Sequence, residues 1–119
     1  NPPNLSFEFG DATKKVSDGP WDAIILSNVL EHIVDRIGFL KAIREQTKAR
    51  QFLIRVPHFE RDWQMAMRKE LGSYYYSDPD HKIEHTLKEF RDETSAAGLR
   101  TTEVLLMWGE IWAELEPAR

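Results

Sequence analysis

Two short segments of the sequence carry side chains that could move protons or hold a metal ion. The first ends in Glu31 and His32, and the second contains His81 and His85. An imidazole can act as a general base near neutral pH. Imidazoles and carboxylates are also common ligands of divalent transition metals. These residue types therefore allow general base catalysis or metal binding at either segment.

His81 and His85 are four residues apart, and Asp78, Asp80 and Glu84 lie beside them. If this segment is helical, the two imidazoles share one face and could bind Zn²⁺, as in a metal-dependent hydrolase. Glu84 precedes the second histidine, however, which differs from the H-E-x-x-H helix of metalloproteases. The favoured interpretation is a solvated polar loop, and metal binding is the alternative.

The elements that position these residues follow from the hydrophobic pattern. Alternating or continuous apolar runs predict strands, and apolar residues three and four apart predict helices. Thr86 with Glu89 has the spacing of a capping box, Gly98 is a C-cap, and Trp108-Gly109-Glu110 favours a hairpin turn. The predicted strands span residues 5–9, 23–26, 51–56, 101–107 and 111–115, and the predicted helices span residues 33–47 and 86–98.

This order of elements predicts one α/β domain over residues 1–119. Alternation of strand and helix indicates a mostly parallel sheet with helices on its faces. The last two strands add an antiparallel hairpin at the C-terminus.

Composition narrows the class of protein. The 119 residues include 41% hydrophobic and 30% charged side chains, a globular balance, and the net charge of -4 argues against nucleic acid or an anionic membrane as the partner. The chain has no cysteine, so neither a disulfide framework nor a thiol nucleophile is available, and a reducing cytoplasm is the expected compartment. No apolar run has the length of a membrane span.

Four segments in order resemble the later motifs of class I S-adenosylmethionine-dependent methyltransferases. They are Phe9-Gly10-Asp11-Ala12, the run from Trp21 to His32, Leu53-Ile54-Arg55-Val56-Pro57, and Ala97-Gly98-Leu99 before the terminal hairpin. The resemblance covers almost the whole chain. It implies a Rossmann-like methyltransferase sheet and methyl transfer from S-adenosylmethionine to a small-molecule acceptor.

The resemblance also implies where the cofactor would lie. Asp11 and Ala12 correspond to the family's adenine-binding position, and Ser27 and Asn28 to the strand end that faces the sulfonium. The alternatives are an Asx turn at Asp11 and helix capping by Ser27 or Asn28.

On the acceptor side, the resemblance assigns His32 and Glu31 to catalysis. Some relatives carry Glu-x-x-Glu-His here and hold a divalent cation with it. In this chain Asn28 replaces the first carboxylate, which disfavours a metal, and a histidine bonded within the turn is a further alternative. His58, Phe59, Tyr75 and His81 lie in segments that shape the acceptor pocket in relatives, and simple core packing is the alternative for the aromatic residues.

The chain departs from the family in one respect: it contains no G-x-G pattern. The family's Gly-rich turn and first strands would lie upstream of Asn1, and a chain that begins with Asn rather than Met is expected to be a fragment. Two functions follow as hypotheses. One is methyl transfer with this chain as the acceptor-side half. The other is a non-catalytic methyltransferase-like module that forms a homodimer through an exposed sheet edge.

Overall fold

Four strands form one sheet in the computed structural model, which describes residues 2–119. In chain order these strands are β1 (Ala23–Ser27), β2 (Gln51–Pro57), β3 (Leu99–Met107) and β4 (Glu110–Pro117). The α-helices are α1 (Arg36–Thr47), α2 (Trp63–Glu70) and α3 (Leu87–Ala96). Two 3₁₀ turns, Leu30–His32 and Phe59–Arg61, follow β1 and β2. Within the described chain, no helix has the length and apolar character needed to cross a membrane.

The spatial order of the strands is β1-β2-β4-β3. β1 and β2 pair in parallel, whereas β4 is antiparallel to both of its neighbours, β2 and β3. Three strands therefore run in one direction, and β4 runs against them in the place between β2 and β3. This mixed sheet with a C-terminal hairpin confirms the α/β fold that the sequence predicts.

One face of the sheet carries the core. Successive side chains of a strand point to opposite faces, so Phe52, Ile54 and Val56 of β2 share a face, and all three are buried. Leu40 of α1 and Phe90 of α3 belong to the same buried cluster. The period-three and period-four apolar spacing of the two helices is what turns these side chains toward the sheet.

The opposite face leaves apolar side chains in contact with solvent. Ile25 of β1 pairs with Leu53 of β2, and the two side chains are 69% and 36% exposed. Leu105 of β3 lies opposite the half-buried Trp112 of β4 on this face and is 50% exposed. We call the surface formed by these four residues the open face.

The hairpin between β3 and β4 turns tightly at Trp108 and Gly109. Both residues have positive φ, 54° and 73°, as a two-residue type I′ turn requires. Glycine adopts this conformation without steric cost, and the right-handed twist of the strands favours it. The hairpin prediction is confirmed, with longer strands than the sequence pattern indicated.

The prediction of a strand at residues 5–9 is wrong. This segment has no regular structure, and Phe7 and Phe9 are highly exposed. The apolar alternation describes a side-chain pattern, but a strand also needs a neighbour for its backbone groups. None of the four strands of the described sheet pairs with this segment.

Thr86 begins α3 with the predicted capping box. Its hydroxyl accepts from the Glu89 amide at 3.1 Å, and the Glu89 carboxylate accepts from the Thr86 amide at 2.9 Å. We expect Thr86→Ala to lower the free energy of unfolding by about 1 kcal/mol, because it leaves the helix N–H group without a partner. Urea titration measures the change. Thr86→Ser keeps the hydroxyl and should retain most of the stability, and equal losses in both variants would contradict the assignment.

Candidate functional site

The candidate site is a cleft at the carboxyl ends of β1 and β2. Because these strands are parallel, the segments that leave them begin at the same edge of the sheet. The β3–β4 turn reaches this edge too, since Pro57 pairs with Glu110. The cleft has a volume of about 500 Å³ and is lined by Asn28, Glu31, His32, Pro57, Arg61, Ser77, Asp78, His81, Trp108, Gly109 and Glu110.

Asn28 connects three strands at the floor of the cleft. Its φ of 56° is left-handed, a conformation that asparagine tolerates better than most residues, and it turns the chain out of β1. With the amide oxygen toward Arg55, that oxygen accepts at 2.7 Å and the amide nitrogen donates to Glu110 at 3.0 Å. Arg55 also forms an ion pair with Glu110 at 3.1 Å. The Asn28 amide therefore bonds to side chains of β2 and β4 and caps no helix.

Glu31 is the most unusual side chain of the cleft. It is 1% exposed, and its Oε1 atom has no hydrogen-bond partner among the described residues. Burial raises the pKa of this carboxyl group, and the nearby His32, His81 and His85 oppose that rise. A buried carboxylate oxygen without a partner costs stability, which makes Glu31 a candidate for a catalytic or ion-binding role.

Two histidines beside Glu31 are each held by a carboxylate. Nδ1 of His32 lies 2.8 Å from Asp80, and Nδ1 of His81 lies 2.9 Å from Glu84. The two rings meet edge to face with their centroids 4.8 Å apart. A carboxylate at Nδ1 fixes the ring and favours the tautomer whose Nε2 carries a free lone pair. Each imidazole can then accept a proton or bind a cation through Nε2.

Glu84 anchors the loop that brings His81 into the cleft. Its carboxylate accepts from the Ser77 amide at 2.6 Å and from Arg61 at 2.6 Å, besides the contact with His81. Burial would raise the pKa of Glu84, but the hydrogen bonds from His81, Ser77 and Arg61 outweigh it and the pKa is lowered. The ionised carboxylate therefore ties residues 77–84 to the turn after β2.

His85 belongs to a separate buried cluster. Its Nε2 lies 2.6 Å from Glu93, and Glu93 accepts two further hydrogen bonds from Arg36, at 2.7 and 2.9 Å. The hypothesis that His81 and His85 share one helical face is wrong, because the segment is not helical and each ring has a different carboxylate partner. His85 packs against Phe90 in the core instead.

Three groups of the cleft could together hold a metal ion. Glu31, His32 and His81 each offer one ligand atom, and these atoms all lie within 4.8 Å of one another. Asp80 and Glu84 each contact the Nδ1 atom of one of the two imidazoles. The arrangement can therefore accept a proton at an imidazole or bind a divalent cation between the three groups.

Comparison with known proteins concerns the fold. No protein-family model matches the sequence, and no curated protein matches it. Among solved structures, TnmH covers 94% of this chain with a TM-score of 0.67 and 23% identity. A chain of the Haloferax volcanii complex that contains the Trm112 methyltransferase activator covers 100% with a TM-score of 0.72 and 13% identity. The O-methyltransferase NcsB1, solved with S-adenosyl-L-homocysteine and 1,4-dihydroxy-2-naphthoic acid, covers 91% with a TM-score of 0.65 and 18% identity.

The chain has the class I methyltransferase fold. The antiparallel β4 between β2 and β3 matches the terminal hairpin that the resemblance implies. The chain spans 34% of TnmH, 32% of NcsB1 and 64% of the matched Haloferax chain. Its likeness to these proteins therefore concerns a part of each.

Within this methyltransferase fold, Asn28, Glu31, His32 and His81 lie together at one cleft. Ser27 is exposed at the end of β1 and lines the open face.

Asp11 and Ala12 lie on an exposed loop away from that cleft. Oδ1 of Asp11 accepts from the Thr13 amide at 2.9 Å and from the Thr13 hydroxyl at 2.6 Å, so the loop has the Asx turn that was the alternative. Oδ2 of Asp11 has no partner among residues 2–119, which leaves an acceptor for an amino group.

The remaining predicted acceptor residues lie beside the cleft rather than in its wall. Phe59 and Tyr75 pack edge to face at 5.9 Å, and the Lys69 ammonium lies over both rings. His58 is mostly buried next to them, and its backbone amide donates to the carbonyl of Gly109 in the hairpin turn.

The roles of four residues that shape the cleft were not predicted. Asp80 and Glu84 orient the histidines, Arg61 holds Glu84, and the exposed Trp108 forms one wall. The sequence shows Asp80 and Glu84 beside His81, but the contacts of Asp80 with His32 and of Arg61 with Glu84 join distant segments that no local pattern marks. The one available signal was the concentration of Asp, Glu and His between residues 78 and 85.

The His85–Glu93–Arg36 cluster predicts how stability depends on pH. Burial opposes ionisation of Glu93, but hydrogen bonds from His85 and Arg36 outweigh it and lower its pKa from 4.5 to about 2. Above pH 4.5 the carboxylate is charged in both folded and unfolded chains, so its full contribution is present. That contribution, on the order of 3 kcal/mol, is lost as the pH falls from 4.5 toward 2.

Unfolding free energies measured across this range test the assignment. Glu93→Gln should flatten the pH dependence, since it removes the group whose pKa differs between the two states. Glu45→Gln removes an exposed carboxylate of α1 and is the matched control. An unchanged slope in Glu93→Gln would contradict the role of this cluster.

Proposed function

We propose that this chain takes part in methyl transfer from S-adenosylmethionine to a small-molecule hydroxyl acceptor and supplies the acceptor-side half of the fold. The observation that carries the proposal is the polar cleft at the carboxyl ends of β1 and β2. In open α/β sheets, ligands bind at this edge. The cleft combines an imidazole with a fixed tautomer, His32, and a buried carboxyl group, Glu31.

The chemistry requires positioning and removal of one proton. A lone pair of the acceptor oxygen attacks the sulfonium methyl carbon, and the carbon–sulfur electron pair leaves with sulfur to give S-adenosylhomocysteine. The hydroxyl proton passes to Nε2 of His32, while Asp80 stabilises the resulting imidazolium through Nδ1. Holding both reactants in line supplies most of the remaining acceleration.

Cofactor contacts from this chain are proposed for Asp11, Ala12, Ser27 and Asn28. The free Oδ2 of Asp11 can accept a hydrogen bond from an adenine amino group, and Ser27 is exposed at the strand end. The Asn28 side chain bonds to Arg55 and Glu110, and its second amide hydrogen and its backbone remain available to a ligand. The chain has no Gly-rich turn, so the amino-acid end of the cofactor needs groups that these residues do not supply.

An aromatic acceptor fits the surroundings of the cleft. The Trp108 indole is 80% exposed at its wall, and Phe59 and Tyr75 form an aromatic pair next to it. Flat apolar surfaces beside a few polar groups favour planar ligands. NcsB1 was solved with a dihydroxynaphthoic acid, which agrees with a phenolic acceptor. His58 and His81 complete the proposed acceptor side, and a cytoplasmic location is part of the proposal.

His32→Ala is expected to lower kcat for methyl transfer roughly 10²- to 10⁴-fold, because the acceptor loses its proton acceptor. S-adenosylhomocysteine should bind as before, since His32 faces the acceptor. The assay follows labelled methyl incorporation into a panel of phenols, with the protein as its gene encodes it, and calorimetry measures cofactor binding.

Lys88→Ala, on the exposed side of α3, is the control and should be fully active. The proposal fails if no acceptor in the panel is methylated, or if His32→Ala retains the wild-type kcat.

A second candidate function is a non-catalytic module that self-associates, and the open face favours it. Exposed apolar side chains on a sheet and an unpaired strand edge are common features of protein interfaces. Ile25 lies at both, because it is on β1, which has β2 as its single partner within the described residues.

If this module forms a homodimer, Ile25→Lys should convert it to a monomer, which sedimentation equilibrium measures. Val34→Lys adds the same charge at an exposed site in the segment before α1 and is the control. A wild-type chain that is monomeric at all accessible concentrations would dispose of this candidate.

A further inference from the structure

The group of Glu31, His32 and His81 contains features that a proton-transfer role leaves unexplained. One imidazole suffices to accept a proton from a hydroxyl acceptor, yet a second lies edge to face against it. The two come from segments almost fifty residues apart in the sequence, the turn after β1 and the loop before α3. Only the fold brings them together.

Glu31 adds a third donor that points into the same space. Its Oε1 atom is buried and unpartnered. One carboxylate oxygen of Glu31 and one ring nitrogen of each imidazole lie within 4.8 Å of one another. A buried carboxylate oxygen without a partner normally finds a donor, a water molecule or a cation, and the two imidazoles beside Glu31 favour a cation.

A carboxylate beside each imidazole also orients that ring as a metal ligand. Metal-binding histidines usually donate their second N–H to a carboxylate, which orients the ring and raises its basicity. Here Nδ1 of His32 lies 2.8 Å from the Asp80 carboxylate, and Nδ1 of His81 lies 2.9 Å from the Glu84 carboxylate. Nε2 of each ring has no hydrogen-bond partner in the described part of the chain.

We propose that Glu31, His32 and His81 form a binding site for a divalent transition metal of the Zn²⁺ or Co²⁺ type. Two imidazole nitrogens and one carboxylate oxygen are a donor set that such metals prefer, with one position left for an exogenous ligand. Mg²⁺ demands oxygen donors and is disfavoured here. Asn28 is not included in this set, because its amide oxygen already accepts from Arg55 and carries no negative charge.

This set differs from the one that the sequence suggested. The Glu-x-x-Glu-His pattern would place its first ligand at position 28, and the asparagine there argued against a metal. The structure offers a different third donor, His81, which lies 49 positions beyond His32. Exchange of a carboxylate for an imidazole shifts the preference from hard cations toward softer ones.

The distances allow the site to close on an ion. Two donors on one tetrahedral metal are about 3.4 Å apart, given metal–ligand bonds near 2.1 Å. The three ligand atoms lie within 4.8 Å of one another, so no distance between them must shorten by more than about 1.4 Å. His32 lies on a partly exposed turn, so its ring can make most of this movement, while Glu31 is buried and His81 is nearly so.

The inference rests on the same cleft as the proposed function but not on methyl transfer. A metal here would use the Nε2 lone pair that otherwise takes the acceptor proton, and it would instead lower the pKa of a bound hydroxyl. Metal binding can therefore be measured with no cofactor or acceptor present. Loss of methyl transfer with intact metal binding would count against the proposed function alone.

The test is titration of the protein, first treated with EDTA and then freed of it, with Zn²⁺, Co²⁺ and Mg²⁺ by calorimetry. We expect one equivalent of Zn²⁺ to bind, and Co²⁺ to give visible d–d bands without thiolate charge transfer, since the chain has no cysteine. Mg²⁺ should bind at least a hundredfold more weakly than Zn²⁺. Comparable affinity for Mg²⁺, or no binding of Zn²⁺, would overturn the proposal.

Variants assign the ligands. Glu31→Gln and His81→Ala should each weaken Zn²⁺ binding at least tenfold, and Asp80→Asn should do so while leaving the core untouched, since Asp80 is exposed. Asp22→Asn removes an exposed carboxylate just before β1, outside the cleft, and should bind as the wild type does. Circular dichroism of the metal-free variants identifies any that fail to fold. Wild-type Zn²⁺ affinity in folded Glu31→Gln and Asp80→Asn would place the metal elsewhere and refute this site.

Discussion

The parallel pairing of β1 and β2 is the constraint on which the rest of the molecule depends. It aligns Ser27 with Arg55, so the chain leaves both strands at the same edge. Antiparallel β4 then brings the hairpin turn to that edge, opposite the end of β2. A one-residue shift in this register would turn the buried side chains of β2 to the solvent, and the helices would lose their packing surface. The hydrophobic pattern of β1 and β2 therefore determines where the cleft forms.

Ion pairs position the loop of the cleft that the sheet itself does not hold. The loop of residues 77–85 has no regular structure of its own, and ionised Glu84 and Glu93 hold it through Arg61, His81 and His85. Buried charges are stabilising only when several hydrogen bonds compensate their desolvation, and both carboxylates have at least three. Removal of one partner would leave the other charge buried without compensation. These contacts hold the loop, and with it His81, in position at the cleft.

Local signals in the sequence predicted most of the fold. The strands 23–26 and 51–56, the helix between them, the capping box at Thr86 and the terminal hairpin all depend on residues close in the chain. The strand at residues 5–9 was predicted wrongly because pairing depends on a neighbour that side-chain alternation cannot reveal. Asp80 and Trp108 escaped prediction for the same reason, since their contacts with the cleft join distant segments. The sequence marks His32 and His81 as candidate site residues but does not show that their rings are in contact.

Glu31 decides how the cleft is to be understood. The sequence puts it next to His32, but nothing in the sequence shows that it is buried with an unpartnered oxygen. The other buried carboxylate of the cleft, Glu84, is fully hydrogen-bonded, so the surrounding structure can satisfy such a group and does not do so for Glu31. A residue that lowers stability in an otherwise well-compensated region points to a functional requirement. The proposed ligand between Glu31 and the two imidazoles, either the hydroxyl group of an acceptor or a metal ion, would meet that requirement.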